Sequence, residues 1–452
     1  MKTHVQRIYC CLEQLFEWKF FVPACLLVAA VLRLAWVLSV PNTQVSDFKL
    51  YLAWGREIAA GHGYTDHGRP TAYYPIGYPA FLGAMFRVFG DSVLVGKLAG
   101  IFVYLGIIYF SYKLAFTMFR SRFVAGFSAM VLAVYPNHIA YSSVLLSEPL
   151  WTCGILAAIW LVFISVNRTY LLLAAGIVFG LANIVRPLGI PMMLVAFVTV
   201  FWSYRASIRR GQLAVGLVLL LLGFCIGVCP YAIRNYMVFG RATIVSLNSG
   251  MNMLLGNNPY ANGTYPNDRT IHDKVLALVD CRSDEFERND LYNRYAINYI
   301  CKHPLRTVSL WPKKLVYLFA FEVDGINRNL DGLKPGSPIR YLKVVTQGVY
   351  VLVMMSCLAA IIVYLKRFRC NHARQYLPPT GLWILAMWTG IHVVVLGSSR
   401  YHYPMIPWIV MYASAWFMYL AKGEFVSGMK TDVSESRFPE QVKHAQQLSI
   451  KH

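Results

Sequence analysis

The sequence predicts an all-α polytopic membrane protein, and three observations carry that prediction. Hydrophobic residues make up 57% of the 452-residue chain and charged residues only 14%, against about 25% charged in soluble domains. Between Ala24 and Met418 apolar runs repeat with short breaks. The basic residues gather on alternate loops, as they do where charge sets membrane topology.

The candidate spans are 20–40, 93–112, 123–137, 148–165, 170–185, 188–203, 212–230, 341–365, 378–397 and 403–421, about ten in all. Crossing a bilayer takes roughly 20 apolar residues. The run at 123–137 is short and is expected to borrow a turn from a neighbour. Met1 to Lys19 is polar and basic, and no small-residue cleavage site follows the first run, so no cleavable signal peptide is expected. Short loops on one side hold Lys113, Arg120, Arg122, Arg168, Arg205, Arg209, Arg210, Lys366, Arg367, Arg369 and Arg374. The short turns on the other side hold only Arg186 and Arg400. The preference of Lys and Arg for the inside puts the first set, and both termini, in the cytoplasm. The net charge of +21 then reads as cytoplasmic loops facing anionic lipid. Basic residues dispersed among spans do not suit nucleic acid.

The chain divides accordingly. Residues 1–19 form a cytoplasmic N-terminus, and 20–230 hold spans one to seven with a first outer loop at 41–92. Residues 231–340 form an extracytoplasmic segment, 341–421 the C-terminal spans and 422–452 a polar cytoplasmic tail, expected to be disordered. In the first outer loop, Asp47 to Gly61 reads as an amphipathic helix with Tyr51, Trp54 and Ile58 on one face. The second outer segment opens with a polar, turn-rich stretch from Asn248 to Asp273. A helix follows from about Ser283 to Lys302, with Phe286, Leu291, Tyr295, Ile297 and Tyr299 as its apolar contacts. Leu310 to Phe321 is apolar but too short to span, so it reads as interfacial or re-entrant.

Cysteine use says little. Cys25, Cys153, Cys225, Cys229 and Cys357 sit in apolar spans, where free Cys behaves as a small hydrophobe. Cys10, Cys11 and Cys370 face the reducing side, and only Cys281 and Cys301 lie where an oxidising compartment would let them pair. No Cys/His spacing resembles a zinc site. Of the two Asn-x-Thr sequons, Asn167 is expected in the cytoplasm and Asn262 matters only in a glycosylating host.

The functional signal lies at the outward ends of the spans. Asp47 follows the first run. Glu148 opens the fourth in Ser147-Glu148-Pro149, and Arg186 precedes Pro187. Arg234-Asn235 follow Pro230, and Arg400 precedes Tyr401-His402-Tyr403-Pro404. Charges at the membrane boundary are costly unless solvated or paired. Each has a bland reading alone. Ser46 or Asp47 would cap a helix, Glu148 would answer a helix dipole, and each Arg would snorkel to headgroups. Three arginines and two carboxylates on one face point instead to phosphate chemistry. Guanidinium groups bind phosphate oxygens in pairs, and a carboxylate such as Asp47 can take a proton from an attacking hydroxyl. Tyr73-Tyr74-Pro75-Ile76-Gly77-Tyr78-Pro79 offers flat apolar surfaces for a sugar or lipid tail, or else forms an interfacial aromatic belt.

These pieces occur in a recognisable order: Ser46-Asp47, Gly61-His62-Gly63-Tyr64, Pro70 to Pro79, Ser147-Glu148-Pro149-Leu150, Arg186-Pro187, Arg234-Asn235-Tyr236, Gly250-Met251-Asn252 with Gly256-Asn257-Asn258-Pro259, and Arg400-Tyr401 with Pro404 and Pro407. Over roughly residues 20–421 the chain resembles membrane glycosyltransferases of the GT-C superfamily. It is most similar to the bacterial protein-mannosyltransferase-like group (family 39-like) that includes the aminoarabinose transferases. The resemblance implies a GT-C fold in the inner membrane of a bacterium, with its active site facing the periplasm. It implies inverting transfer of a sugar from a polyprenyl-phosphate carrier to a lipid, glycan or protein acceptor. By that similarity Asp47 is the general base or positions the acceptor, and Glu148 is the second acid. Arg400, with Arg186 and Arg234, binds the carrier phosphate. Tyr74, Tyr78, Tyr401, Asn257 and Asn258 serve substrate binding. The family often pairs its first-loop Asp with an adjacent acid, whereas Phe48 stands here. That leaves a divalent-metal cofactor open, and no ligand set for one is evident. A small or lipid acceptor fits the modest outer segment better than a long polypeptide. Two other readings compete. A flippase for a lipid-linked sugar would use the same arginines and no base, but the chain lacks an inverted repeat of broken spans. An O-antigen polymerase or ligase would take a diphosphate-lipid donor.

Overall fold

The structure, a computed structural model, describes residues 2–204, 210–266, 268–279, 284–329, 338–368 and 378–423. Cys281, expected as the partner of Cys301, and nearly all of the expected tail lie outside the described residues. The chain opens with α1 (Lys2–Glu17) and α2 (Phe21–Ser39), followed by α3 (Asp47–Ala60). A two-residue hairpin, β1 (Thr65–Asp66) and β2 (Arg69–Pro70), leads to α4 (Gly77–Phe89). Next come α5 (Val93–Phe119), α6 (Arg122–Ala133), α7 (Pro136–Tyr141), α8 (Ser147–Ile164), α9 (Leu171–Val185), α10 (Gly189–Ser203) and α11 (Arg210–Phe239). The outer segment carries α12 (Ser249–Gly256), α13 (Arg269–Leu276), α14 (Glu285–Lys302), α15 (Pro304–Phe319) and α16 (Asp324–Asn327). The chain closes with α17 (Leu342–Phe368), α18 (Pro379–Val394) and α19 (Ile406–Lys422), the last preceded by a 3-10 turn at Ser399–Met405.

All ten apolar runs are helical. Six helical stretches are long and apolar enough to cross a membrane: Phe21–Ser39, Val93–Phe119, Ser147–Asn167, Gly211–Phe239, Leu342–Lys366 and Ser399–Lys422. The other four are shorter apolar helices, α6, α9, α10 and α18. At a rise of about 1.5 Å per residue, α6 is roughly 18 Å long, short of a bilayer core of about 30 Å. Its C-terminal carbonyls are met by an arginine from the first span. Arg33 is wholly buried and donates to Ala133 O at 2.8 Å and Leu132 O at 3.1 Å. A cation there satisfies orphan carbonyls and answers the helix dipole.

Three expectations need correction. The N-terminus is an amphipathic helix and not merely a polar lead-in: Tyr9 and Phe16 pack on Phe123, with the first pair of rings 4.3 Å apart. The seventh run does not stop at Pro230. α11 continues to Phe239 with Pro230 inside it, so Arg234 and Asn235 ride on a helix. The stretch 248–273 is not all turn, since it holds α12 and the start of α13. The expected helix at Ser283 to Lys302 is α14, begun by Asp284, whose side chain accepts from Glu287 N at 2.8 Å. The apolar stretch at 310–321 lies within α15, which buries Leu310 and Leu318 and exposes Leu305 and Val316.

α9 and α11 meet backbone to backbone. Gly176 and Gly180 of α9 face Gly223 and Gly227 of α11, and a Cβ on Gly176 or Gly223 would lie 2.1 Å from the opposite carbonyl. Four-residue spacing of small residues on both helices permits this approach, which suits association inside lipid, where dispersion replaces the hydrophobic effect. It fixes the end of α9, where Arg186 sits.

Candidate active site

The site is built from helix ends. Asp47 is the first residue of α3 and Glu148 the second of α8, where the N-terminal dipole favours anions. Arg186 directly follows α9, where a cation is favoured. Arg400 sits in the 3-10 turn before α19. Ser46 holds the N-cap position of α3 but makes no capping bond with its side chain. Its hydroxyl instead donates to Asp47 Oδ1 at 3.1 Å. Ser46 also has φ +55°, a region that non-glycine residues seldom adopt and that clusters at functional sites.

One arginine joins both acids. Arg400 donates from Nη1 to Asp47 Oδ2 at 2.7 Å, from Nε to Glu148 Oε1 at 2.6 Å and from Nη2 to Glu148 Oε2 at 3.1 Å. Arg186 Nη1 reaches the same Glu148 Oε1 at 2.7 Å. The Glu148 side chain is fully buried, Arg400 is 12% exposed, Arg186 18% and Asp47 26%. Glu148 is therefore an anchor for two guanidinium groups, while Asp47 keeps a face open. Tyr74 OH approaches Asp47 Oδ1 at 3.4 Å. Burial pushes the Asp47 carboxyl up, but the charge and hydrogen bond of Arg400, helped by Ser46 and Arg328, hold it below the ordinary carboxylate range.

Asp47, Arg186 and Arg400 open onto a cavity of about 610 Å³. Tyr74 and Tyr401 also line it. The outer segment contributes Asn248, Asn252 and Tyr265 to its lining. A volume of this order holds a small organic ligand. Asp324 and Arg328 lie on the same cavity, 3.4 Å apart, with Tyr141 OH donating to Asp324 at 2.7 Å. Neither Asp324 nor Arg328 stood out in the sequence, because an acid and an arginine four apart look like an ordinary helix-surface pair.

Besides Glu148, which sits behind the two arginines, four sequence-expected residues do not line the cavity. Arg234 donates to Thr71 O and Tyr64 O, both at 2.8 Å, and braces the first outer loop against α11. Tyr78 is buried in α4 against the Tyr51 ring, 5.1 Å away. Asn257 donates to Val394 O at 3.0 Å and accepts from Lys314 Nζ at 3.2 Å. Asn258 donates to Leu254 O at 2.8 Å. These two asparagines finish α12 and tie the outer segment to α18. His402, two residues after Arg400, is buried between Glu322 and the carbonyl of Leu318, which fastens the arginine-bearing turn to the end of α15.

For a divalent cation, the acidic pair offers a compromised place. A cation approaching Asp47 and Glu148 meets the Arg400 guanidinium already between them. Among the described residues, no group of three or more His, Cys, Asp or Glu side chains could hold a metal ion.

No protein-family model and no curated protein matches the sequence. Solved structures do. The oligosaccharyltransferase of Archaeoglobus fulgidus, in a complex with Zn and sulfate, aligns with a TM-score of 0.51 at 13% identity, over 87% of this chain and 49% of that one. The same protein tethered to an acceptor peptide containing the NVT sequon gives 0.52 at 16% identity, over 89% and 50%. ArnT from Cupriavidus metallidurans bound to undecaprenyl phosphate gives 0.41 at 14% identity, over 88% and 77%. The chain thus spans about half the length of the archaeal protein. What the likeness to that protein shows is architecture: the chain has the GT-C fold, an all-α polytopic membrane protein.

Proposed function

We propose that the protein is an inverting glycosyltransferase that takes a sugar from a polyprenyl-phosphate carrier at the outer face of a bacterial inner membrane. The acceptor is a lipid, glycan or protein hydroxyl. The observation that carries this reading is Arg400 held between Asp47 and Glu148 beside a ligand-sized cavity. An arginine at a membrane boundary suits a lipid phosphate, and the open carboxylate beside it suits a nucleophile.

In the reaction, the acceptor oxygen attacks the anomeric carbon opposite the phosphate. The new carbon–oxygen bond forms as the bond to the phosphate oxygen breaks, which inverts configuration. The hydroxyl proton passes to the Asp47 carboxylate, and the electron pair leaves on the carrier phosphate. Arg186 and Arg328 line the cavity and serve the donor phosphate together with Arg400. Stabilising the leaving phosphate in this way is electrostatic preorganisation. Glu148 fixes Arg186 and Arg400 for that task. Arrival of the phosphate draws Arg400 from Asp47, which releases the carboxylate to act as a stronger base.

Purified protein and its Asp47→Asn form are incubated with radiolabelled polyprenyl-phosphate sugars and an extract of host lipids and glycans. The wild type is expected to move label from carrier to product. Asp47→Asn is expected to lose on the order of 10²–10⁴-fold in turnover, the scale of a general base, while still binding donor. Equal turnover by the two forms would refute the role of Asp47, and bound donor without transfer by the wild type would refute the enzyme.

A further inference from the structure

The cavity has two chemically different walls. One carries charge. Its two lining carboxylates, Asp47 and Asp324, are each engaged by an arginine, Arg400 at 2.7 Å and Arg328 at 3.4 Å. The other set of lining residues comes from α12 and the residue before it, the loop after it and the residue before the 3-10 turn of Arg400. It presents Asn248, Ser249, Asn252, Met253, Thr264, Tyr265 and Ser398, all uncharged and all polar except Met253. Tyr265 lines the same cavity as Asp47, so these groups share one space with the base. Ser249 is oriented by Asn289, to whose Oδ1 it donates at 3.1 Å, and Asn248 accepts from Ser246 at 2.7 Å. The side chain of Asn252 makes no hydrogen bond among the described residues, so its amide is free for a ligand.

Amides and hydroxyls are matched to sugar hydroxyls, which both donate and accept. A sugar ammonium would need a carboxylate, and both lining carboxylates already hold an arginine. A sugar carboxylate would need a cation, and this wall has none. We propose that the wall formed by Asn248, Ser249, Asn252, Thr264, Tyr265 and Ser398 is the glycosyl subsite, and that it selects an uncharged, hydroxyl-rich sugar over an amino sugar or a uronic acid. This rests on the transferase reading and deepens it.

The test presents the full-length protein in lipid nanodiscs with four undecaprenyl-phosphate donors: a neutral hexose, a neutral pentose, a 4-amino-pentose and a hexuronic acid. Binding and consumption are both measured. The better neutral donor is expected to bind at least about tenfold more tightly than either charged one, the worth of one satisfied polar contact. Asn252→Ala is expected to weaken that neutral donor roughly tenfold, and Asn252→Asp to narrow the gap to the 4-amino-pentose. Tyr265→Phe, which removes one hydroxyl from an exposed ring, gives an independent reading in the same direction. Preference of the wild type for either charged sugar would overturn the subsite and leave the transferase standing. So would unchanged neutral-donor affinity in both Asn252→Ala and Tyr265→Phe. Failure of all four donors to bind would overturn the transferase and the subsite with it.

Discussion

Arg400 grips Glu148 through two parallel hydrogen bonds, at 2.6 and 3.1 Å, from 252 residues away in the chain. The paired geometry fixes the plane of the guanidinium and leaves its remaining amino group aimed at Asp47. Because Glu148 has no exposed surface, its charge is affordable only while the arginines are in place.

Glu148→Gln is therefore expected to be a stability variant first. It keeps the shape, removes the charge and strands two guanidinium groups. Breaking a buried ion pair from one side costs about 3–5 kcal/mol. Asp47→Asn removes a partner that is a quarter exposed, so its effect is expected to be smaller, about 1 kcal/mol or less. Unfolding midpoints of the purified variants check the order. A Glu148→Gln midpoint at or above that of Asp47→Asn would refute the anchor role.

The same network sets a pH signature. Burial alone would push the Asp47 carboxyl up, and Arg400 holds it below its ordinary range. A depressed acid contributes stability that is complete above the unfolded value of about 4 and is lost as pH falls through the lower folded value. Between pH 5 and 8 that contribution is constant, and Asp47 stays ionised. In Arg400→Gln the main pull is gone, while burial and the smaller help of Ser46 and Arg328 remain, and Glu148 loses its two bonds from the same arginine. The folded Asp47 carboxyl then moves up from its wild-type position, and the folded state binds the proton more tightly than in wild type. Relative to wild type, Arg400→Gln is expected to gain stability on acidification from pH 8 toward 4, with a slope of at most about 1.4 kcal/mol per pH unit for each of the two carboxyls Arg400 holds. Parallel stability profiles would count against the Asp47–Arg400 coupling.

The helices were readable because a long apolar run needs no partner to declare itself. The converging charges were readable for a related reason: polar groups at a membrane boundary stand out against apolar flanks. Arg186 and Arg234 look alike locally, one directly before Pro187 and the other four residues after Pro230, both expected at the same face, yet only Arg186 reaches the cavity. The difference is that α11 runs through Pro230, which carries Arg234 toward the carbonyls of Tyr64 and Thr71. Lipid-embedded helices tolerate such a proline when neighbours satisfy the freed groups, and nothing local announces it. Asp324 and Arg328 escaped for the opposite reason. Their four-residue spacing has an ordinary explanation, and only the cavity and Tyr141 give them another. Asn257 and Asn258 matched a motif, but their side chains face backbone carbonyls.

The last relationship links lipid-buried packing to the site. Gly176 sits on α9, ten residues before Arg186. A valine there would put its Cβ 2.1 Å from Leu220 O of α11, a backbone atom that cannot swing aside. Overpacking in a tight interior costs about 1–3 kcal/mol, and the strain is relieved only by moving α9 away from α11. That motion displaces Arg186 from Glu148, so Gly176→Val is expected to lower the unfolding midpoint and to reduce the proposed transfer. Gly348→Val is the matched control, since a Cβ there meets nothing within 4 Å and the position is exposed on α17. Melting curves and donor turnover for both variants decide it. Wild-type behaviour of Gly176→Val would mean that the α9–α11 contact is looser than its glycines require, and that Arg186 is held by Glu148 alone.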